Sequence, residues 1–469
     1  MQSELSVRRV VVSVPALLAF FAVGFLSARY PVLGLIVMLA LVFSFVTRRK
    51  PLWIIYLWLF SSIFYAYRLD VGQISLNSYR VFFLLALVTV ILQPRTTRLS
   101  FDGKTVTRVV LMLGIFIFSW LRSPLDARPI TTSHLLLLCF WLAMFTFLLV
   151  LVDDRDKWEK VVQVFLVTSS FLAIYGLYQA GCWLVTGKVP LLPFSDFLDA
   201  KLAHETAWSQ VAGYGIPRVA SFFNDQNVLA IYLTIAVLFL LTYLEKTKLL
   251  RRRLFLGILV VVHAACVAFT FSRSGVFLLV FSLFVYQLRR FVRSRGKAQG
   301  GTLVTILGLV SVALLFLLFP ALVTETDLLV NAFQSRLVDV QAGRVSFLST
   351  AFDIFARSPF LGQGMRQMLH KGHYIIYTAH SFYLTVLASY GLVGAIVFGA
   401  FFWPVLRRGF VMFWKPDSGA LDVCVSLSIL VLFAFLVVYD SLFLEMMVLP
   451  SAILYRWATL AGTDSVGAF

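Results

Sequence analysis

Two arginines and a histidine stand at the mouths of long apolar runs, where charge and protons are least diluted by water. Arg273 lies in Phe271-Ser272-Arg273-Ser274-Gly275, between VVHAACVAFTF and SGVFLLVFSLF. An arginine in the middle of a membrane span costs roughly 2.5–3.5 kcal/mol on insertion scales, and less at a helix end, where it snorkels. Arg273 therefore reads either as an interfacial anchor or as a fixed cation for an anionic ligand at the membrane surface. Arg218 opens RVASFFNDQNVLAIYL, a few residues before another apolar run. The polar residues Asn224, Asp225, Gln226 and Asn227 read as caps for that helix, satisfying its orphan N–H groups. With Arg218 they also read as a helix N-terminus suited to phosphate. Arginine makes charge-assisted bonds to phosphate oxygens of about 1.5–3 kcal/mol each, often two at once. His380 begins TAHSFYLTVLASYGLVG. It is either a helix-start histidine bonded to a nearby carbonyl or a general base, since a neutral imidazole can take a proton from a hydroxyl near pH 7.

Before His380 runs a semi-polar stretch, GRVSFLSTAFDIFARSPFLGQGMRQMLHKGHYIIYTA, starting at Gly343. Arg344, Arg357, Arg366 and Lys371 make it attractive to a polyanion or pyrophosphate. Val345, Leu348, Phe352 and Phe355 recur at helical spacing with polar residues between them, which predicts an amphipathic helix on the membrane surface. Pro359 and Gly362-x-Gly364 then stop it and turn the chain. His370 and His373, three apart, would be a start on a zinc site with His380, but no HExxH or similar pattern accompanies them, and no metal is assigned. There is no Walker lysine loop and no GxSxG elbow.

The elements that must position these residues are membrane helices. The chain has 469 residues, is 60% hydrophobic and only 13% charged, more apolar surface than a soluble protein of this size can hide. The fold class is all-α: a polytopic transmembrane bundle of about 12–14 spans, with a long loop that contains the amphipathic helix. Spans are expected near 10–28, 32–47, 52–67, 79–93, 109–122, 133–152, 160–185, 222–244, 254–271, 274–290, 302–323, 380–403, 420–438 and 441–458. Arg8 and Arg9 precede the first, which reads as a retained helix rather than a cleaved signal. Four regions follow: N-terminal helices (1–186), central helices with the motif arginines (187–323), the long loop (324–379) and C-terminal helices (380–469). The net charge of +18 sits in short runs between spans, such as Arg48-Arg49-Lys50, Lys246 to Arg253 and Arg407 to Lys415. That pattern places those loops and both termini in the cytoplasm and the long loop outside. Anionic lipid head groups, not nucleic acid, are the partner for the charge. Cys139, Cys182, Cys266 and Cys424 have no paired spacing and read as small apolar residues.

Four segments in this order resemble the O-antigen ligase and polymerase family of bacterial envelope enzymes, over roughly residues 210–400. RVASFFNDQNVLAIYL resembles the family's Arg, Phe and Asn-Pro-Asn helix start, with Asp225-Gln226-Asn227 in place of Asn-Pro-Asn. FTFSRSGVFLL resembles its Thr-x-Ser-Arg-Gly junction. GRVSFLSTAFDIFARSPFLGQG resembles its Arg-containing loop helix followed by Pro-x-x-Gly-x-Gly. AHSFYLTVLASYGLVG resembles its His-Asn-x-x-Leu helix with Gly-Leu-x-Gly at the far end, with His380-Ser381 in place of His-Asn. The resemblance implies an inverting glycosyltransferase, either a ligase or a polymerase, of the bacterial inner membrane with a periplasmic active site. It would move a glycan from undecaprenyl pyrophosphate to a glycan, lipid A core or protein hydroxyl, for O-antigen (lipopolysaccharide) or exopolysaccharide. His380 would be the catalytic base; Arg218, Arg273, Asn227, Arg344 and Ser381 would bind substrate. The donor's phosphate bond supplies the energy, so no cofactor, ATP or metal is needed. The competing reading is a transporter or flippase, which explains the hydropathy equally well but not the long one-sided loop.

Overall fold

The computed structural model describes residues 52–64, 68–71, 74–92, 103–186, 190, 219–223, 225–293, 348–365, 367–370, 373–376, 381–415, 418–439 and 447–460. The fold is an all-α, polytopic bundle. Seven of the described helices are long and apolar enough to cross a membrane. Helices are what an apolar solvent demands, because each satisfies its own backbone groups. The spans expected at 10–28, 32–47 and 302–323 lie outside the described residues.

The chain folds as two units, one of residues 1–98 and 191–202, the other of 99–190 and 203–469. In the first, α1 (Leu52–Phe60) packs on α2 (Ser78–Leu92), and β1 (Arg68–Val71) pairs antiparallel with β2 (Ile74–Asn77). Trp58 seals the helix pair, stacked on Tyr79 at 5.3 Å and against Phe83 at 5.2 Å. Such ring contacts add about 0.5–1.5 kcal/mol to area burial.

The second unit holds α3 (Gly103–Leu121), α4 (Arg128–Leu151), α5 (Arg155–Thr186), α6 (Gln226–Lys246), α7 (Leu250–Phe269), α8 (Arg273–Arg293), α9 (348–357), α10 (Phe382–Trp414), α11 (Ala420–Val438) and α12 (Val448–Leu460). β3 (Gln367–His370) and β4 (His373–Ile376) form a hairpin in the long loop. Helix α6 is its axis. It is apolar all round and buried from Val228 through Thr242, as a helix without a polar face must be. Helices α5, α7, α8 and α11 surround it, and α10 packs on α11. The outer helices turn apolar side chains to the lipid, such as Leu254, Ile258 and Val261 of α7.

The two ends of this unit differ in chemistry. At one end, Arg290 faces Glu245 at 3.7 Å, Arg289 donates to the Lys415 carbonyl at 2.7 Å, and Arg108 reaches the Tyr455 hydroxyl at 3.4 Å. Arg456 donates to the Val152 carbonyl there too. The other end carries α9, the β3–β4 hairpin and the starts of α6, α8 and α10.

Helix α9 forms in the loop as the spacing predicts. Ala351 is buried, with Ile354 and Leu384 of α10 packed against it. Leu348 and Phe352, from the apolar stripe expected to face the membrane surface, are exposed on the protein. The small Ala351 permits the closer approach to α10, and that fixes the rotation of the helix. Val345 lies outside the described residues.

Candidate active site

Of the residues singled out for chemistry, Arg273, Asn227 and Ser381 are described; Arg218, Arg344 and His380 lie outside the described residues. Arg273 is the first residue of α8, and it is exposed. The junction before it is tied down by its own hydroxyls. Thr270 Oγ1 donates to the Val267 carbonyl at 2.6 Å and accepts from Ser272 N at 3.2 Å. Ser272 Oγ accepts from Gly275 N at 3.2 Å, capping α8. Phe271 turns the corner with a φ of 49°. Thr270 and Ser272 are fully buried, so the corner presents Arg273 outward. Gly275 exists for close packing: a Cβ there would run into Ala230 of α6. A cation at a helix N-terminus is on the wrong end of the macrodipole, by about 0.3–1 kcal/mol. The exposed place of Arg273 at the helix end fits both an interfacial anchor and a cation open to an anionic ligand.

Asn227 sits in the first turn of α6, and its N–H donates to Asp225 Oδ1 at 2.7 Å; Val228 N donates to the same oxygen at 3.2 Å. Asp225 is the N-cap, so its carboxylate takes the donors that a phosphate would use. Of the two readings of this segment, the cap is the one observed. The Tyr439 hydroxyl, from the end of α11, donates to Asp225 Oδ2. The hydropathy of the chain gave no signal for that pairing. Val219 N bonds the Phe269 carbonyl at 3.1 Å, which joins the segment after Arg218 to the corner before Arg273. The two motif segments are therefore adjacent.

Ser381 is buried and precedes α10 as its N-cap residue, without a side-chain cap bond. Tyr383 donates to the Phe433 carbonyl of α11 at 3.0 Å. Since α11 ends at Tyr439 beside Asp225, the start of α10 lies at the same end of the unit as Asn227 and Arg273.

Helix α10 is broken. Gly391 has φ 66° and ψ −165°, non-helical values inside the run, and the Pro-x-x-Gly-x-Gly turn fills the break. Leu392 N and Val393 N bond the carbonyls of Pro359 at 2.9 Å and Phe360 at 3.0 Å, in place of Ala388 and Ser389. Those two carbonyls accept instead from Gln363 N at 3.0 Å and Gly364 N at 3.2 Å. The turn is spliced into the helix about 14 Å along the axis from its start. Both glycine-rich segments were visible as residues, but their interlock was not.

Other polar groups, which no local pattern marks, come from distant helices. Ser119 Oγ of α3 donates to the Ser389 carbonyl at 3.1 Å, and Met365 N donates to Ser123 Oγ at 3.2 Å. Buried His263 of α7 meets Ser169 Oγ of α5 at 3.1 Å, pinning α7 to α5. In the hairpin, His370 and His373 are register partners, and the hairpin lies against the start of α4. Among the described residues, no cluster of three or more His, Cys, Asp or Glu side chains is placed to hold a metal ion.

Residues 258–399 match the family model described as O-antigen ligase. The matched stretch runs from α7 through the Arg273 corner, α8 and α9 to the broken first half of α10. No curated protein matches the chain.

Proposed function

We propose that the protein belongs to the O-antigen ligase family and is a membrane glycosyltransferase that moves a glycan from undecaprenyl pyrophosphate to an acceptor hydroxyl on the periplasmic face of the inner membrane. The observation that carries the reading is one end of one unit. Within the matched residues it gathers an outward arginine, the loop spliced into α10 and the helix start that follows His380.

The acceptor hydroxyl attacks the anomeric carbon as the bond from that carbon to the phosphate oxygen breaks. His380 takes the hydroxyl proton, and the pyrophosphate leaves on its lipid. In-line attack inverts the carbon. Arg273, with Arg218 in the adjoining segment, neutralises the charge that grows on the leaving group, which is where fixed cations are most effective. Arg344 and Asn227 bind donor or acceptor, and Ser381 stands where the family has Asn. The lipid-facing helices hold the polyprenyl tail in the bilayer. The basic runs at 251–253, 289–290 and 407–408 belong to the opposite end, which supports a periplasmic site with cytoplasmic termini. Acceptors are a second lipid-linked glycan, a lipid A core or a protein.

The break in α10 favours an enzyme over a carrier. Carriers use discontinuous helices to leave backbone groups open for substrate. Here Pro359, Phe360, Gln363 and Gly364 occupy those groups. The test is purified protein given lipid-linked donor and acceptor in detergent: a transferase makes product, whereas a carrier makes none.

A further inference from the structure

We propose that the last turn of α3, with the two residues that follow it (119–123), is a positioning element for transfer, holding the spliced turn and through it the loop that ends at His380. The proposal rests on the transfer reading above. Helix α3 is apolar from Val109 to Phe118, and at this end of the unit polar residues follow at Ser119, Arg122 and Ser123. Each of these grips a different part of the splice. Arg122 reaches Ser358 Oγ at 3.4 Å at the entry to the turn, and that hydroxyl donates to the Gly362 carbonyl at 2.9 Å. Ser123 Oγ accepts from Met365 N at the exit, at 3.2 Å, while donating to the Ser119 carbonyl at 3.2 Å. Ser119 Oγ donates to the Ser389 carbonyl, the same oxygen that takes Gly364 N.

A serine hydroxyl in an apolar helix ordinarily back-bonds to the carbonyl one turn earlier. Ser119 instead spends its hydroxyl on a carbonyl 270 positions away. That carbonyl lost its own helical partner when Val393 N turned to Phe360. Ser119, Ser123 and Met365 are buried, so these bonds are not exchanged with water. The chain that follows is thus anchored at Met365 on one side and at buried Ser381 on the other. The entry leads back through α9 toward Arg344, and the exit leads forward to His380. Helix α3 lies outside the matched residues 258–399, so this part of the chain brings its own residues to the site.

Two measurements on Ser119→Ala/Ser123→Ala test the proposal. The first is kcat and KM for donor with the purified protein. The double variant should lose about tenfold in kcat, the size expected for two lost buried hydrogen bonds, with donor KM little changed. Ser123→Thr, which keeps the hydroxyl, should stay near wild type. The second uses His380→Cys in a chain whose Cys139, Cys182, Cys266 and Cys424 are alanine. The rate of thiol labelling by a membrane-impermeant maleimide, read on the folded fraction, should change severalfold when the two serines are removed. An unchanged labelling rate overturns the proposal, whatever the turnover does. A changed rate with wild-type kcat overturns its link to transfer. If the wild type makes no product, the labelling arm still decides whether α3 positions the loop, and the fault lies with the transfer reading.

Discussion

Gly362 and Gly391 meet backbone to backbone at the point where the long loop is spliced into α10: a Cβ on Gly391 would lie 2.5 Å from Gly362 N. A Cβ on Gly362 would in turn lie 2.5 Å from the Ser389 carbonyl oxygen and Tyr390 N. Both have positive φ, 68° and 66°. The two positions therefore demand glycine twice over, by conformation and by space.

Gly362→Ala and Gly391→Ala should each destabilise the protein by about 2–4 kcal/mol, from left-handed strain together with backbone overpacking. Gly399→Ala, in the same helix with open space around it, should be neutral or slightly stabilising. Thermal unfolding in detergent, with the three variants side by side, measures the difference. Equal melting of all three would mean that the splice does not form.

Arg273→Ala should abolish glycan transfer while the protein still inserts, and Arg273→Lys should retain part of it, because lysine offers a point charge without the planar fork. The same holds for Arg218. Transfer and membrane-fraction protein level are read together. Wild-type glycan from both alanine variants would remove the cation pair from the mechanism.

The spans were legible because hydropathy is local. Helices α3 to α8 and α11 form close to the expected spans; α10 starts at Phe382, near the expected 380, but runs on to Trp414, past the expected end at 403. Arg273 was legible because an arginine between two apolar runs is costly wherever it sits. What joins the site was not legible. Asp225 and Tyr439 are 214 positions apart, and Ser119 and Ser389 are 270 apart; no periodicity within a window can pair them. Gly391 sits in a run whose hydropathy is that of one continuous helix, and only its positive φ separates the two halves. The helical spacing marked an apolar stripe on α9, but it did not mark Ala351 as the residue that packs against Leu384 of α10.

Asp225→Ala should cost about 0.5–2 kcal/mol through the lost cap, and Tyr439→Phe less, since the cap bonds to Asn227 and Val228 survive. Asp225→Asn should stay close to wild type. Chemical or thermal unfolding of the three variants gives the order. A Tyr439→Phe variant less stable than Asp225→Ala would mean that the tyrosine, not the cap, dominates this corner.

The charge asymmetry between the two ends predicts sidedness. Cysteines introduced at Gly187 and Gly343 should react with an impermeant thiol reagent added outside intact cells, and one at Gly296 should not. Labelling at Gly296 alone would invert the topology and move the site to the cytoplasm.

The role of His380 as the base of a glycosyl transfer is tested most directly by product formation with purified protein, wild type beside His380→Ala, given undecaprenyl-pyrophosphate glycan and acceptor. Wild type should make product, and the variant should bind donor but turn it over about 10²–10⁴-fold more slowly, the usual weight of a positioned acid–base group. His370→Ala and His373→Ala should be far more tolerant, and a chelator should not change the rate. Equal product from wild type and His380→Ala would contradict the account.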